Sequence, residues 1–227
     1  GARGGVVDLG ELQPGARFSG WKLVRLQGRG AMGATWSAED ENGRVCMVDV
    51  LERAPGTEPA VLARIQHAAI PEVLGGGRRP LPHVITRCVQ GRPLSAFLRS
   101  GPAPAEVAMG VAAVLADALA TIHRAGVVHG DLKPDSVIVE SIRGPQLHLL
   151  GVGLAASQQS GTLAYSAPER MQGKPGSREA DCYSLGLLLW RWCTVRCRGP
   201  SCTRARPCCG VPRRSQSPAR VTTWCAA

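Results

Sequence analysis

The sequence predicts an α+β fold in two lobes, a small β-rich lobe followed by a helical one. Three observations carry this. Residues 18–51 hold three short apolar runs separated by turn residues, the pattern of an antiparallel meander. Residues 105–125 repeat apolar side chains at helical spacing, and a second helical run follows at Asp181–Trp192. A chain of 227 residues can bury one good core or two small lobes.

The elements follow in order. Residues 1–16 are Gly-rich without a period and read as the end of a linker. Strands are expected at Trp21–Leu26, Ala34–Ala38 and Val45–Leu51, with Glu41-Asn42-Gly43-Arg44 as the hairpin turn before the third. Val61, Leu62 and Ile65 give Glu58–Gln66 a helical spacing, and Val84–Thr86 is a further strand. The second lobe opens with a short helix at Leu94–Arg99. The long helix places Val107, Val111, Val114, Leu115, Ala118, Leu119 and Ile122 inward, and Gly126 stops it. Short strands are expected at Val127–Val128, Val137–Val139 and Leu147–Leu150.

The net charge of +10 is unevenly spread. Eight of the 27 basic residues are arginines from Arg191 onward, where no acidic residue occurs, so the body of the chain is close to neutral. A basic face for nucleic acid is therefore not expected. Six of the nine cysteines also follow Arg191, at irregular spacing that suits neither a zinc site nor a disulfide framework. Residues 193–227 have no apolar period and are expected to be disordered or an out-of-frame read-through. Cys46, Cys88 and Cys182 lie in apolar stretches and read as small buried side chains. Val107–Ile122 is apolar but contains Asp117 and falls short of the ~20 residues that span a bilayer, so it reads as a buried helix. No signal peptide opens the chain, and a cytoplasmic setting is expected. The first residue is Gly rather than Met, which reads as a fragment or a processed product.

Several motifs then occur in one order. Gly28-Arg29-Gly30-Ala31-Met32-Gly33 fits G-x-G-x-x-G and leads into Val45–Leu51 (VCMVDVL). His67–Leu74 (HAAIPEVL), His129-Gly130-Asp131-Leu132-Lys133-Pro134, Leu149–Leu154 (LLGVGL), Gly161–Glu169 (GTLAYSAPE) and Asp181–Gly186 (DCYSLG) follow. A lone glycine motif is weak evidence, but this ordered series resembles the protein kinase superfamily, specifically a bacterial-type Ser/Thr protein kinase, across roughly residues 17–190. The resemblance implies an N-lobe at 17–86, a hinge at 87–91 and a partial C-lobe at 92–192 that is truncated after its central helix.

The same resemblance assigns site residues. Asp131 matches the catalytic base, Lys133 the lysine that steadies the transferred phosphate, and Thr162 the threonine that bonds both. Gly28, Arg29, Gly30 and Gly33 match the phosphate loop. Met47 matches the roof of the adenine pocket together with Gln27 and Thr35, Thr86 guards its back, and Ile138 is its floor. Glu58 matches the helix carboxylate that holds a strand lysine. Three positions depart from the family. Asp49 stands where that lysine belongs, and Ser136 and Gly151 stand where asparagine and aspartate hold magnesium. Gly130 replaces the arginine that pairs with a phosphorylated loop. Two unit charges 4 Å apart at an effective dielectric of ~20 interact by about 4 kcal/mol, so replacing a lysine by Asp49 turns a large attraction for phosphate into repulsion. Arg29 or Lys22 is the substitute cation to consider. Ser136 offers a hard cation only a hydroxyl, and Gly151 offers nothing.

The sequence thus predicts a pseudokinase that acts through protein binding, with ATP weak or absent and Mg²⁺ weak or absent. The alternative is a Ser/Thr protein kinase with residual phosphoryl transfer to protein hydroxyls. Nucleic-acid binding through the basic tail ranks last. No dedicated metal site is expected.

Overall fold

The structure is a computed structural model and describes residues 9–30, 32–142, 144–155 and 163–194. Its upper lobe is one antiparallel sheet made of β1 (Arg17–Phe18), β2 (Trp21–Gly30), β3 (Gly33–Glu39), β4 (Val45–Leu51), β5 (Val73–Gly77) and β6 (His83–Arg87), in the order β1-β2-β3-β4-β6-β5. The expected hairpin turn is present. The Asp40 carboxylate accepts the Asn42 and Arg44 N–H groups at 2.9 and 2.8 Å, and Gly43 takes φ +76°.

Alternation along β4 decides what faces the cleft. Cys46, Val48 and Val50 pack with Phe18, Leu23, Trp36 and Ala38 in the upper core. Met47, Asp49 and Leu51 take the opposite face. The sheet itself requires Gly33. At φ +146° its backbone lies so close to β4 that a Cβ would stand 2.0 Å from the Val50 carbonyl oxygen.

Two expectations for this lobe are corrected. Residues 9–16 are not a free linker. Leu12 is buried in the upper core, and the Gly15 N–H to Leu23 O (2.7 Å) and Leu23 N–H to Ala16 O (2.8 Å) bonds tie the segment to β2. The helix expected over 58–66 is one turn, α1 (Pro59–Leu62). Beyond it the Arg64 and Ile65 N–H groups bond the Val61 and Leu62 carbonyls three residues back, at 3.2 and 3.0 Å, so the i→i−4 ladder stops.

The lower lobe contains β7 (Arg92–Pro93), α2 (Leu94–Leu98), α3 (Ala105–Arg124), β8 (Val137–Ser141), β9 (Gln146–Leu149), α4 (Pro168–Met171) and α5 (Arg178–Thr194), with β7-β8-β9 as a small sheet. α3 buries Val111, Leu115, Ala118, Leu119 and Ile122 against α5 and β9. Each large apolar side chain removed from water there contributes about 1.5–3 kcal/mol. α3 is long and apolar enough to pass for a membrane span, but its inner face belongs to this core. It ends at Ala125, and Gly126 turns the chain at φ +74°. Val127–Val128 forms no strand, because the Val127 N–H is taken by the Ile122 carbonyl at 2.9 Å.

On α5, Leu188 and Trp192 are buried and Leu185 and Leu189 pack against the core, so much of the apolar surface of this helix is covered. Trp190 remains 64% exposed. Cys46 is buried as expected, Cys88 is half-buried, and Cys182 is exposed on the outer face of α5. Leu51, Leu62, Ile65 and Val84 of the upper lobe join the lower core, so the wall at the back of the cleft is continuous between lobes.

Candidate functional site

The catalytic-loop stretch is built on one buried carboxylate. Asp181, near the start of α5, accepts the His129 N–H and the Gly130 N–H, both at 2.9 Å, and bonds His123 Nε2 at 2.8 Å. Gly130 thereby holds φ +79°, a conformation that suits glycine. The His129 ring is wholly buried. Its Nε2–H donates to the Leu150 carbonyl at 3.0 Å and its Nδ1 accepts the Asp131 N–H at 3.3 Å, which defines the neutral tautomer. Burial lowers its pKa and outweighs the nearby carboxylates of Asp181 and Asp131.

Asp131 and Lys133 come together in the cleft, with Lys133 Nζ donating to Asp131 Oδ2 at 2.5 Å. Ser136 stands in the same loop. Its hydroxyl donates to the Lys133 carbonyl at 2.8 Å and accepts the Lys133 N–H at 3.1 Å, so it closes its own turn (Pro134–Ser136) and has no proton left to give. Gly151 lines the cleft at φ +77° with open space where a side chain would go.

Asp49 is opposite Thr35 in the β3–β4 register, and the Thr35 hydroxyl donates to Asp49 Oδ1 at 2.6 Å. No cation is paired with this carboxylate among the described residues. Burial raises its pKa above the ordinary 3.8, and the Thr35 bond only partly offsets this. A raised carboxyl pKa stabilises the fold while the group is protonated. That contribution is complete below 3.8 and is lost as pH rises through the raised value. Asp49→Asn, which removes the ionisation, is therefore expected to unfold at higher urea than the parent at pH 7. The gap should close as pH falls toward 3.8. Equal gaps at both pH values would contradict the burial argument.

The substitute cations are engaged elsewhere. Lys22 Nζ bonds Glu39 at 3.0 Å on the outer surface, and Arg29 Nη2 donates to the Leu9 carbonyl at 3.2 Å. Glu58 is a correction too. It does not face Asp49 but lies at the surface in an ion pair with Arg78, 57% exposed. Of the adenine-pocket residues, Thr35, Met47 and Thr86 line the cleft. Ile138 does not serve as a floor, because it is wholly buried beneath Gly91, where a Cβ would stand 2.9 Å from Ile138 Cγ2. Gln27 Nε2 is buried without a hydrogen bond among the described residues. Thr162 lies outside the described residues, as does the chain from 195 onward.

The cleft consists of two contiguous cavities. The inner one, about 220 Å³, is lined mainly by apolar side chains including Met47, Leu62, Ile65, Ile70, Val84 and Val152. The outer one, about 440 Å³, lies under Gly28, Arg29, Gly30 and Gly33. Met32, Thr35, Asp49, Asp131, Lys133, Asp135 and Leu154 line both. Met32 and Asp135 escaped the sequence reading, although Met32 sits inside the glycine motif and Asp135 directly follows the catalytic-loop motif. Asp135 also accepts a hydrogen bond from the Ser95 hydroxyl at 2.5 Å. Among the described residues no three His, Cys, Asp or Glu side chains gather as a metal site. With the Ser136 hydroxyl committed and Gly151 bare, neither position supplies the magnesium ligand that the resemblance places there.

A β-rich lobe over a helical lobe, with a glycine hairpin and an Asp131–Lys133 pair meeting in the cleft, defines the protein kinase fold. Residues 28–199 match the protein kinase domain family, and the chain belongs to it. It is similar to bacterial serine/threonine-protein kinases. It is 29% identical to PknE of Mycobacterium tuberculosis over 209 residues, covering 81% of this chain and 36% of that protein. It is 30% identical to Pkn1 of Myxococcus xanthus over 216 residues, covering 84% and 31%. The chain thus spans about a third of these curated relatives. Among solved structures, that of Rad53 1–466 in complex with AMP-PNP aligns at a TM-score of 0.62 with 21% identity, covering 75% of this chain and 47% of that one. At that identity the likeness concerns the fold.

Proposed function

We propose that this kinase domain is a pseudokinase that acts by binding a protein partner in a cytoplasmic setting, with ATP and Mg²⁺ bound weakly or not at all. One observation carries the reading: the Asp49 carboxyl, with no cation partner among the described residues, occupies the junction of the two cavities, where phosphoryl transfer needs positive charge. The state of Ser136 and Gly151 supports it. Removing a single charge-stabilising group costs ~10²–10³ in rate, and here several are changed at once.

A second reading, residual transfer to protein hydroxyls, is favoured by one feature. Asp131 and Lys133 remain paired in the cleft at 2.5 Å. Thermal melting with Mg²⁺–ATP separates the two. A ligand at 100 times its Kd stabilises a protein by ~2.7 kcal/mol. No shift at millimolar nucleotide is expected, and no time-dependent label should appear on a basic protein substrate or on the domain itself. A label that grows with time and vanishes in Asp131→Asn would establish the second reading.

A further inference from the structure

We infer that the cleft binds a small organic cation, a protonated amine on an apolar body, with Asp49 as its counter-ion. The inference deepens the reading above and rests on it, since it assigns the cleft to a ligand other than Mg²⁺–ATP.

The inner part of the cavity is walled by aliphatic side chains at the back, from Leu62, Ile65, Ile70, Val84 and Val152, and it continues into the outer part at Asp49. A cavity of about 220 Å³ with such a lining suits a compact apolar group. The polar anchor is equally specific. Period-two alternation on β4 fixes Asp49 on the cleft face between Met47 and Leu51. Thr35 donates to one carboxylate oxygen at 2.6 Å, which sets the orientation of the group. The other oxygen has no partner among the described residues and belongs to a side chain that lines both cavities.

Charge then selects the ligand. The other charged groups lining the cleft are Asp131, Lys133 and Asp135, with Arg29 at the outer mouth. Lys133 is paired with Asp131, and Arg29 bonds the Leu9 carbonyl. An anionic ligand would meet repulsion from Asp49. A neutral one would desolvate the carboxyl further without replacing its lost water, which is costly. An ammonium or amidinium group supplies the missing donor and the missing charge together. Burial already raises the Asp49 pKa, and an arriving cation favours the ionised form that the empty cavity penalises.

The test uses the whole chain and three isosteric probes: 1-naphthylmethylamine, neutral 1-naphthylmethanol and anionic 1-naphthoate. Mg²⁺–ATP is measured in parallel, and binding is read by titration calorimetry and melting shift. The amine is expected to bind at least about tenfold more tightly than the alcohol, and the naphthoate more weakly than either. Asp49→Asn should reduce the amine to the affinity of the alcohol, and Asp49→Lys should reverse the order in favour of the naphthoate. The inference is overturned if amine and alcohol bind the parent chain alike, if none of the three binds, or if the amine preference survives in Asp49→Asn. The comparison among probes on the parent chain decides the matter even if a variant fails to fold. Strong stabilisation by Mg²⁺–ATP alongside an Asp49-dependent amine preference sinks the pseudokinase reading alone. Absence of both effects sinks the cation site alone.

Discussion

Asp181→Ala is expected to lower the unfolding free energy by about 3–5 kcal/mol, the usual cost of breaking a buried, hydrogen-bonded charge. The carboxylate is 1% exposed and serves three partners: the His129 N–H, the Gly130 N–H and His123 Nε2. An alanine leaves the His129 N–H buried and unsatisfied, which alone costs roughly 1–3 kcal/mol. Domains are stable by only ~5–15 kcal/mol, so the variant should lose roughly a fifth of its stability at the least. Asp181→Asn keeps one acceptor oxygen and should fall between the two. Urea unfolding would show a lower midpoint with an unchanged slope. A loss under about 1 kcal/mol would mean that water or a neighbouring group takes over the two amides. The loop is also affected, because Asp181 holds Gly130 in the left-handed conformation that sets the direction of Asp131.

The parts of this site that were legible in the sequence are those fixed by local rules. The resemblance of Val45–Leu51 to the family's strand put Met47 and Asp49 at the cleft, and the alternation of β4 agrees. Helical spacing placed Leu115, Leu119 and Ile122 inward on α3, and the Asn42-Gly43 turn set the hairpin before β4. The parts that were not legible depend on distant partners. The turn after α1 is held by His67, which meets Asp117, 50 residues away. Glu58 turns outward because Arg78, on the loop after β5, offers it a cation. Ile138 is sealed by the close approach of Gly91, and Ser136 spends its hydroxyl on Lys133, three residues back. A motif match assigns a position. Whether the side chain there is free to act depends on these contacts, which have no period and no signature in the motif itself.

The triple variant Asp49→Lys, Ser136→Asn, Gly151→Asp is expected to gain Mg²⁺–ATP binding without gaining turnover. The charges are then correct on paper, but their supports are not. A lysine at 49 needs a carboxylate to aim it, and Glu58 is held at the surface by Arg78, next to a helix of a single turn. Asparagine at 136 enters a site where the serine is 9% exposed, and it breaks the reciprocal bonds with Lys133 that shape the loop beneath Asp131. Aspartate at 151 must adopt φ +77°, which costs roughly 1–2 kcal/mol for a side-chain-bearing residue. Ile138 stays covered by Gly91, so the adenine still lacks its floor. Catalytic groups act when held within about half an ångström of their working positions, and none of these changes supplies that precision. Melting should therefore rise with Mg²⁺–ATP while transfer stays near background. Adding Arg78→Ala releases Glu58, and any recovery of transfer should appear only in that fourfold variant. If the triple variant alone phosphorylates protein at the ~1–100 s⁻¹ typical of kinases, the outward Glu58 is no obstacle and the three substituted groups were the whole of the defect.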